Sequence, residues 1–278
     1  MNEKKYSVLM SVYHKEKPEH LRASIDSMLR QTVKPEEVLL VKDGPLTEEL
    51  EQIIDSYRGN DSFTILALPE NVGLGKALNI GLTKCRNEFV ARMDTDDISK
   101  PDRCEKQLLL LNQHDKISVV GSAVGEFMQD PNKIVAYRDV PENHQAIAKR
   151  MKSRNPMNHM SVMFRKSHVV EAGSYQSCDL SEDYFLWVRM LQKGFTFSNI
   201  NEPLVWVRTT DESYARRGGW KYFLAQKSLF DYMLTNKTIN IAEYIRSIVV
   251  GFVARVMLPN KMRKAMYLKV LRKNHLDE

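Results

Sequence analysis

Three carboxylates crowd into the stretch EFVARMDTDDISKPDR (residues 88–103): Asp94, Asp96 and Asp97, shortly before Pro101. Carboxylates this close repel and raise one another's pKa, so the cluster is costly unless a cation sits among them or backbone groups cap it. Two chemistries fit. One is a solvated turn that caps a helix starting near Pro101, with Ser99 or Asp97 as cap; the other is a divalent-metal site. A second acidic focus, DLSEDYFLWVRML (residues 179–191), offers Ser181 as a helix cap with Glu182 and Asp183 in the first turn. Capping does not require two adjacent acids. A carboxylate fixed at a helix start beside apolar residues is how a general base is positioned, and Phe185, Trp187, Val188 and Leu191 are expected to form the core face behind it.

Other residues carry weaker signals. Asp43 in LLVKDG can accept from a nucleotide's base N–H or ribose hydroxyls, or simply make an Asp-Gly turn. In NVGLGKALN (residues 71–79), Gly73 and Gly75 suggest a dinucleotide fingerprint, but Leu78 stands where its last glycine belongs, and Asn71 as helix cap with Gly73 as turn residue suffices. Arg216 and Arg217 precede two glycines in RTTDESYARRGGWKY, a loop suited to clamping phosphate or to mere solvation. Asn158 and His159 in NPMNHMSVMFRK read equally as a buried, satisfied polar pair or as a substrate contact. No H-E-x-x-H, G-x-S-x-G or P-loop pattern appears, so metalloprotease, serine hydrolase and P-loop kinase lose their main support.

The elements that must position these residues alternate in the first hundred positions. Short β-rich apolar runs (6–13, 37–44, 63–69, 88–94) are separated by segments of helical period (18–31, 47–57, 71–85). That is the pattern of βαβ units around a parallel sheet, and it sets the first acidic cluster at the carboxyl end of the fourth strand, the edge where open α/β sheets bind ligands. A helix over 101–114 follows, then strand-like runs at 117–128 and 161–166 mixed with shorter helices. From Gly218 onward the chain reads as helices. The expected division is a catalytic unit over 1–217 and a helical extension over 218–278.

The 278 residues, 43% hydrophobic and 27% charged, are those of a globular chain able to bury a full core. Cys85, Cys104 and Cys178 are far apart with no C-x-x-C pair, which argues against a disulfide framework or structural zinc and for a reducing compartment. No run reaches the length of a membrane span, and the N-terminus lacks a secretory pattern. The net charge of +6 is concentrated: residues 204–278 carry 14 Lys/Arg against 6 Asp/Glu, leaving the remainder slightly acidic. A basic tail on a near-neutral body points to an anionic partner, whether lipid head groups, diphosphate or nucleic acid, or to a solvated helical face.

Taken together, SVLMSVYHKE, VLLVKDG, ARMDTDDISKPDR, LSEDYFLWVRM and RTTDESYARRGG resemble, in order and separation, the inverting glycosyltransferases of family 2. The resemblance covers residues 5–225 and implies the GT-A fold, an α/β architecture with a mostly parallel, Rossmann-like central sheet flanked by helices. It implies that Asp94 and Asp96 match a D-x-D element holding Mn²⁺ or Mg²⁺ on the diphosphate of a nucleotide sugar, with Asp97 as a neighbour able to substitute. Ser11, Tyr13, Glu16, Asp43 and Asn71 would line the nucleotide site, most simply for UDP, with Arg216 and Arg217 on the phosphates. Asp183 would be the catalytic base, and Glu182, His159 and Trp187 would meet the acceptor. One departure stands out: some relatives carry a further metal-binding histidine where this chain reads VWVRTTDESYARR.

The arginines resemble a subgroup that builds bacterial surface polysaccharide, of the amylovoran and O-antigen type, on a lipid diphosphate carrier. This implies a lipid-linked saccharide acceptor, no nucleic acid, and a cytoplasmic protein held peripherally on the inner face of the plasma membrane. The tail over 242–273, apolar patches alternating with Arg246, Arg255, Lys261, Arg263 and further basic residues, suits an anionic membrane surface or a helical cap on the body. The rival readings are a nucleotidyltransferase and a non-catalytic nucleotide- or lipid-binding scaffold.

Overall fold

Strands β1 (Tyr6–Val12) and β2 (Glu37–Lys42) are buried at almost every position. Their side chains alternate between two cores, as a sheet covered on both faces requires. Val8, Met10, Val12, Val38 and Leu40 enter one core; Leu9, Leu39 and Val41 enter the other. We describe the fold from a computed structural model covering residues 5–176, 178, 181–210, 218–259, 262–263 and 265–266.

The first core is closed by α1 (Pro18–Leu29), α2 (Glu48–Asp55) and α4 (Arg103–Gln113), through residues such as Ile25, Leu50 and Leu111. The second is closed by α3 (Leu74–Lys84), α5 (His144–Met151), α6 (Lys166–Glu171), α7 (Glu182–Gln192) and α8 (Trp220–Thr235). The sheet runs β3-β2-β1-β4-β8-β6-β9-β5, with β3 at Phe63–Ala67, β4 at Phe89–Arg92, β5 at Ile98–Ser99, β6 at Ile117–Phe127, β8 at Met163–Arg165 and β9 at Thr196–Arg208. Its first four strands are parallel, Ser7 standing opposite Glu37 and Tyr6 opposite Phe89. Beyond β4 the sheet is mixed: β8 is antiparallel to β4 and β6, and β6 is parallel to β9. β7 (Ile134–Arg138) pairs antiparallel with the far end of β6.

The βαβ pattern read from the first hundred residues is the observed one. Differences begin after the acidic cluster. Ser99 lies in the two-residue strand β5, paired with β9, and neither it nor Asp97 caps α4, whose preceding residue is Asp102. The 13-residue β9 joins β6 to β5 and is the longest strand described. Its interrupted apolar pattern hides it, because only some positions are buried on both faces. Helix α7 is enclosed nearly all round: Tyr184, Leu186, Trp187, Val188 and Met190 are buried while Phe185 and Leu191 are only partly so. The expected core face holds, Phe185 and Leu191 packing partly buried against the core that contains Trp187 and Val188, but Tyr184, Leu186 and Met190 enter it as well. Packing from several sides removes the single stripe that periodicity would reveal.

Beyond Gly218 two helices are described, α8 and α9 (Ile241–Phe252), followed by one π-turn at Val253–Met257. Leu229, Phe230 and Met233 of α8 join the core beside α7, and the Phe185 and Tyr232 rings meet edge-on with centroids 4.9 Å apart. The face of α9 turned outward keeps Ile241, Ile245, Val249 and Val250 exposed. None of the described helices is long and apolar enough to cross a membrane.

Candidate functional site

Chain order reverses between β1 and β4, since β2 and β3 lie on one side of β1 and β4 on the other. At such a switch point the loops leaving the two strands part and open a crevice at their carboxyl ends. Here the crevice is a cleft of 780 Å³ lined by Ser11, Tyr13, Glu16, Asp43, Asn71, Asp94 and Asp96, seven of the residues expected at a nucleotide site. Lys15, Lys17, His20, Gly73, Leu74, Thr95, Arg208 and Thr210 complete it.

Asp43 is held by what surrounds it. Its carboxylate accepts from the Val72 N–H at 2.7 Å, the Gly73 N–H at 3.1 Å and Asn71 Nδ2 at 3.1 Å. Asn71 therefore braces Asp43 and does not cap α3, whose preceding residue is Gly73. Gly44 makes this approach possible, because a Cβ there would stand 2.6 Å from the Asn71 nitrogen and its φ is +86°. Glu16 accepts from Thr95 Oγ1 at 2.9 Å and so ties the end of β1 to the acidic turn.

The acidic turn itself is anchored from below and from the side. Arg103, fully buried, donates to the Arg92 carbonyl at 2.7 Å and to the Val162 carbonyl at 3.2 Å, pinning the end of β4. Asp97 accepts from the Arg208 N–H at 2.8 Å, which attaches the turn to the end of β9, while Arg208 Nε donates to the Asp96 carbonyl at 3.2 Å. Carboxylate oxygens of Asp94, Asp96 and Asp97 lie within 4.8 Å of one another. Burial, then the Asp94 and Glu16 charges, push the Asp96 carboxyl up to about 7; burial with Asp96 and Asp94 raises Asp97 well above the carboxylate range. Buried Arg92 pairs with Asp94 but does not offset the rest. Three oxygen ligands with excess negative charge are the donor set of a hard divalent cation, so these residues fit such an ion.

Asp183 stands in the first turn of α7, where its Oδ2 accepts from Asn155 Nδ2 at 2.7 Å. Burial raises its carboxyl, and the Tyr184 N–H, Asn155 and the charge of Arg92 oppose that rise. Glu182 is raised by burial and then by Asp183, with Arg92 lowering and Asp94 raising it. Both acids thus feel the same guanidinium as the acidic turn, which brings the two foci into one electrostatic neighbourhood. Asp183 and Glu182 do not line the cleft; Glu182 packs against the start of α3, where a Cβ on Gly75 would stand 3.3 Å from its own Cβ. Ser181 precedes α7 without a side-chain capping bond.

Two expected acceptor contacts are corrected. Trp187 is fully enclosed in the core of α7, with its ring edge-on to Phe197, and has no face free for a sugar. His159 is buried with Nε2 2.9 Å from the Tyr175 hydroxyl, and burial drives its pKa far down, so it is a neutral core residue. Asn158 likewise donates inward, to the Ser122 carbonyl at 2.8 Å. Arg216 and Arg217 lie outside the described residues. Sequence reasoning missed Asn155, although it opens the same NPMNHM stretch, and it missed Arg208, Arg92 and Arg103, which no local pattern marks.

Residues 7–170 match the family described as glycosyl transferase family 2. The chain is 39% identical over 269 residues to an uncharacterized glycosyltransferase of Haemophilus influenzae, spanning 97% of this chain and all of that one. It is 37% identical to the amylovoran biosynthesis glycosyltransferase AmsE of Erwinia amylovora, over 95% of this chain and 98% of the relative. It is 36% identical to the UDP-Gal:alpha-D-GlcNAc-diphosphoundecaprenol beta-1,3-galactosyltransferase of Escherichia coli, over 97% of each. Among solved structures, S. aureus TarS 1-349 in complex with UDP-GlcNAc superposes with a TM-score of 0.67 at 16% identity, over 96% of this chain and 76% of that one. The chain spans 46% of the longer TarS chain, at a TM-score of 0.64. The fold is that of GT-A glycosyltransferases, and the chain belongs to glycosyl transferase family 2. It is a glycosyltransferase with relatives in surface-polysaccharide biosynthesis, which sets the nucleotidyltransferase reading aside.

Proposed function

We propose that the chain is an inverting hexosyltransferase that moves a sugar from a UDP-sugar to a hydroxyl of a lipid diphosphate-linked saccharide in surface-polysaccharide assembly. The observation that carries it is the placement of the acidic turn in one cleft with Ser11, Tyr13, Glu16, Asp43 and Asn71, with Asp183 on a separate helix under the charge of the same Arg92. The printed name of the 36% identical E. coli relative supports both a UDP-linked donor and a diphosphate-lipid acceptor.

In this reading the Asp43 and Asn71 loop receives the nucleoside, and Ser11, Tyr13 and Glu16 close the wall opposite. Asp94 and Asp96 would hold Mn²⁺ or Mg²⁺, which when bound supplies positive charge against the departing diphosphate. Arg216 and Arg217 are assigned to the same phosphates. Asp183 takes the proton from the acceptor hydroxyl as it attacks the anomeric carbon from the face opposite the leaving group, and one such displacement inverts the centre. Glu182, beside it, contacts the acceptor. Asn155 and the Tyr184 N–H fix the base's orientation as it meets the hydroxyl. Residues 1–217 are the catalytic unit. The extension over 218–278, basic and with an apolar face exposed on α9, holds the protein peripherally on the cytoplasmic face of an anionic membrane.

The test is the melting temperature of the purified protein with UDP, GDP, CDP and dTDP, each with and without Mn²⁺, because a ligand that binds only the folded state raises it. A rise with UDP that requires Mn²⁺ is expected. A response to another nucleotide, or none to any, overturns the donor assignment.

A further inference from the structure

Away from the cleft, a second cavity of 780 Å³ lies between α5 and α9. Four cations line it, Lys149, Arg150, Lys152 and Arg246, together with hydroxyl side chains from both walls and a single carboxylate, Glu243. Glu243 is engaged by Lys152 at 3.2 Å, and Asp139 acts on Arg150 from outside the lining. The cavity therefore keeps an excess of positive charge. Glu243 is also the third residue of α9, so the positive end of that helix dipole adds to the same field.

The cavity is wired to the base. Tyr184, next to Asp183, donates its hydroxyl to the Met151 carbonyl, and Asn155 donates to Asp183 itself. Ser153, midway between these two anchors, lines the cavity. Two residues of chain reach at most about 7 Å, so the rim at Ser153 lies roughly one sugar ring from the base-binding Asn155. At the opposite rim Arg246 neighbours the stripe Ile241, Ile245 and Val249, whose side chains recur every fourth residue and are exposed.

We infer that this cavity seats the diphosphate of the lipid-linked acceptor, with Lys149, Arg150 and Arg246 as its counter-ions and the α9 stripe meeting the start of the hydrocarbon chain. The inference rests on the acceptor reading above. A diphosphate carries several negative charges in a small volume and suits clustered arginines that bind its oxygens bidentately. A bridging sugar would then bring its hydroxyl to Asp183, and the donor's diphosphate would stay on the far side, at the acidic turn. Each diphosphate thus has its own compensating charge, carboxylate-bound metal for one and protein cations for the other.

That division supplies the test. Full-length protein in EDTA is titrated with farnesyl diphosphate and with farnesol, and compared with the double variant Lys149→Ala/Arg246→Ala, both exposed positions. Parent protein is expected to bind farnesyl diphosphate without metal at least about tenfold more tightly than farnesol, and the double variant to lose about tenfold or more, as for close charge pairs. Its Mn²⁺-dependent UDP binding should equal the parent's. Equal affinity of parent for diphosphate and alcohol, equal affinity of variant and parent, or loss of UDP binding together with farnesyl diphosphate binding overturns the inference. So does a variant that keeps farnesyl diphosphate but no longer binds phosphatidylglycerol vesicles, which would make the cavity a phospholipid headgroup site. Failure of the donor reading shows separately, as a parent protein that does not bind UDP with Mn²⁺.

Discussion

The two acidic foci carry the same kind of charge and are both raised by burial, yet they are completed differently. At Asp94, Asp96 and Asp97 the carboxylates raise one another, and the donors they receive, Arg92 at Asp94 and the Arg208 N–H at Asp97, do not offset that rise at Asp96 and Asp97. At Asp183 the rise is opposed by a backbone N–H, by Asn155 and by Arg92. The first set suits a divalent cation; the second suits a proton. Similar residues are thus given different surroundings by the hydrogen-bond donors the fold brings to each, which is why we assign them different roles.

Substitution at Asp183 should break the comparison most severely. Asp183→Asn keeps the shape but cannot take a proton, so kcat should fall by about 10²–10⁴-fold, while Mn²⁺-dependent UDP binding, read by thermal shift, stays near the parent value. A variant that keeps most of its rate would remove Asp183 from the base role. Asp94→Asn with Asp96→Asn should do the reverse and abolish the Mn²⁺-dependent rise in melting temperature on UDP; retention of that rise would move the metal elsewhere. Asn155→Ala removes one donor to a charged acceptor, so the base should be raised further. Its acid limb of kcat/KM should move up by about one pH unit, with roughly a tenfold loss at low pH and recovery at high pH; an equal loss at all pH values would make Asn155 merely structural.

The smallest effect separates the foci by pH alone. Raised carboxyls mean that the metal-free fold binds more protons than the unfolded chain, so its stability falls as pH rises from the usual carboxylate range through about 7. Melting curves in EDTA between pH 5 and 8 should show a decline of a few degrees, which Mn²⁺ reverses at the high end. A metal-free protein that gains stability over that range would contradict the assignment of Asp96.

The first half of the site was legible because its acids Asp43 and Asp94 come just after strands whose apolar runs are unmistakable. Asp43 follows LLVK and Asp94 follows FVAR, and the switch point between β1 and β4 then brings them together. The second half was legible only in part. Asp183 announces itself at a helix start, but its partner Asn155 is 28 residues away in a loop without periodicity. Trp187 and His159 have the residue types of sugar-binding side chains, and only three-dimensional enclosure shows them to be core. The stretch holding Arg208 was read only for lacking a histidine, whereas the Arg208 backbone and guanidinium serve the acidic turn.

The bond from Arg208 to Asp97 joins residues 111 positions apart. Closing so long a loop costs entropy that must be met before the contact can form, and contacts of this separation tend to form late in folding. A chain still emerging from the ribosome can complete β1 to β4 long before β9 exists. During that interval the three carboxylates face each other without their brace, so the acidic turn is completed only when nearly three-quarters of the chain has been made.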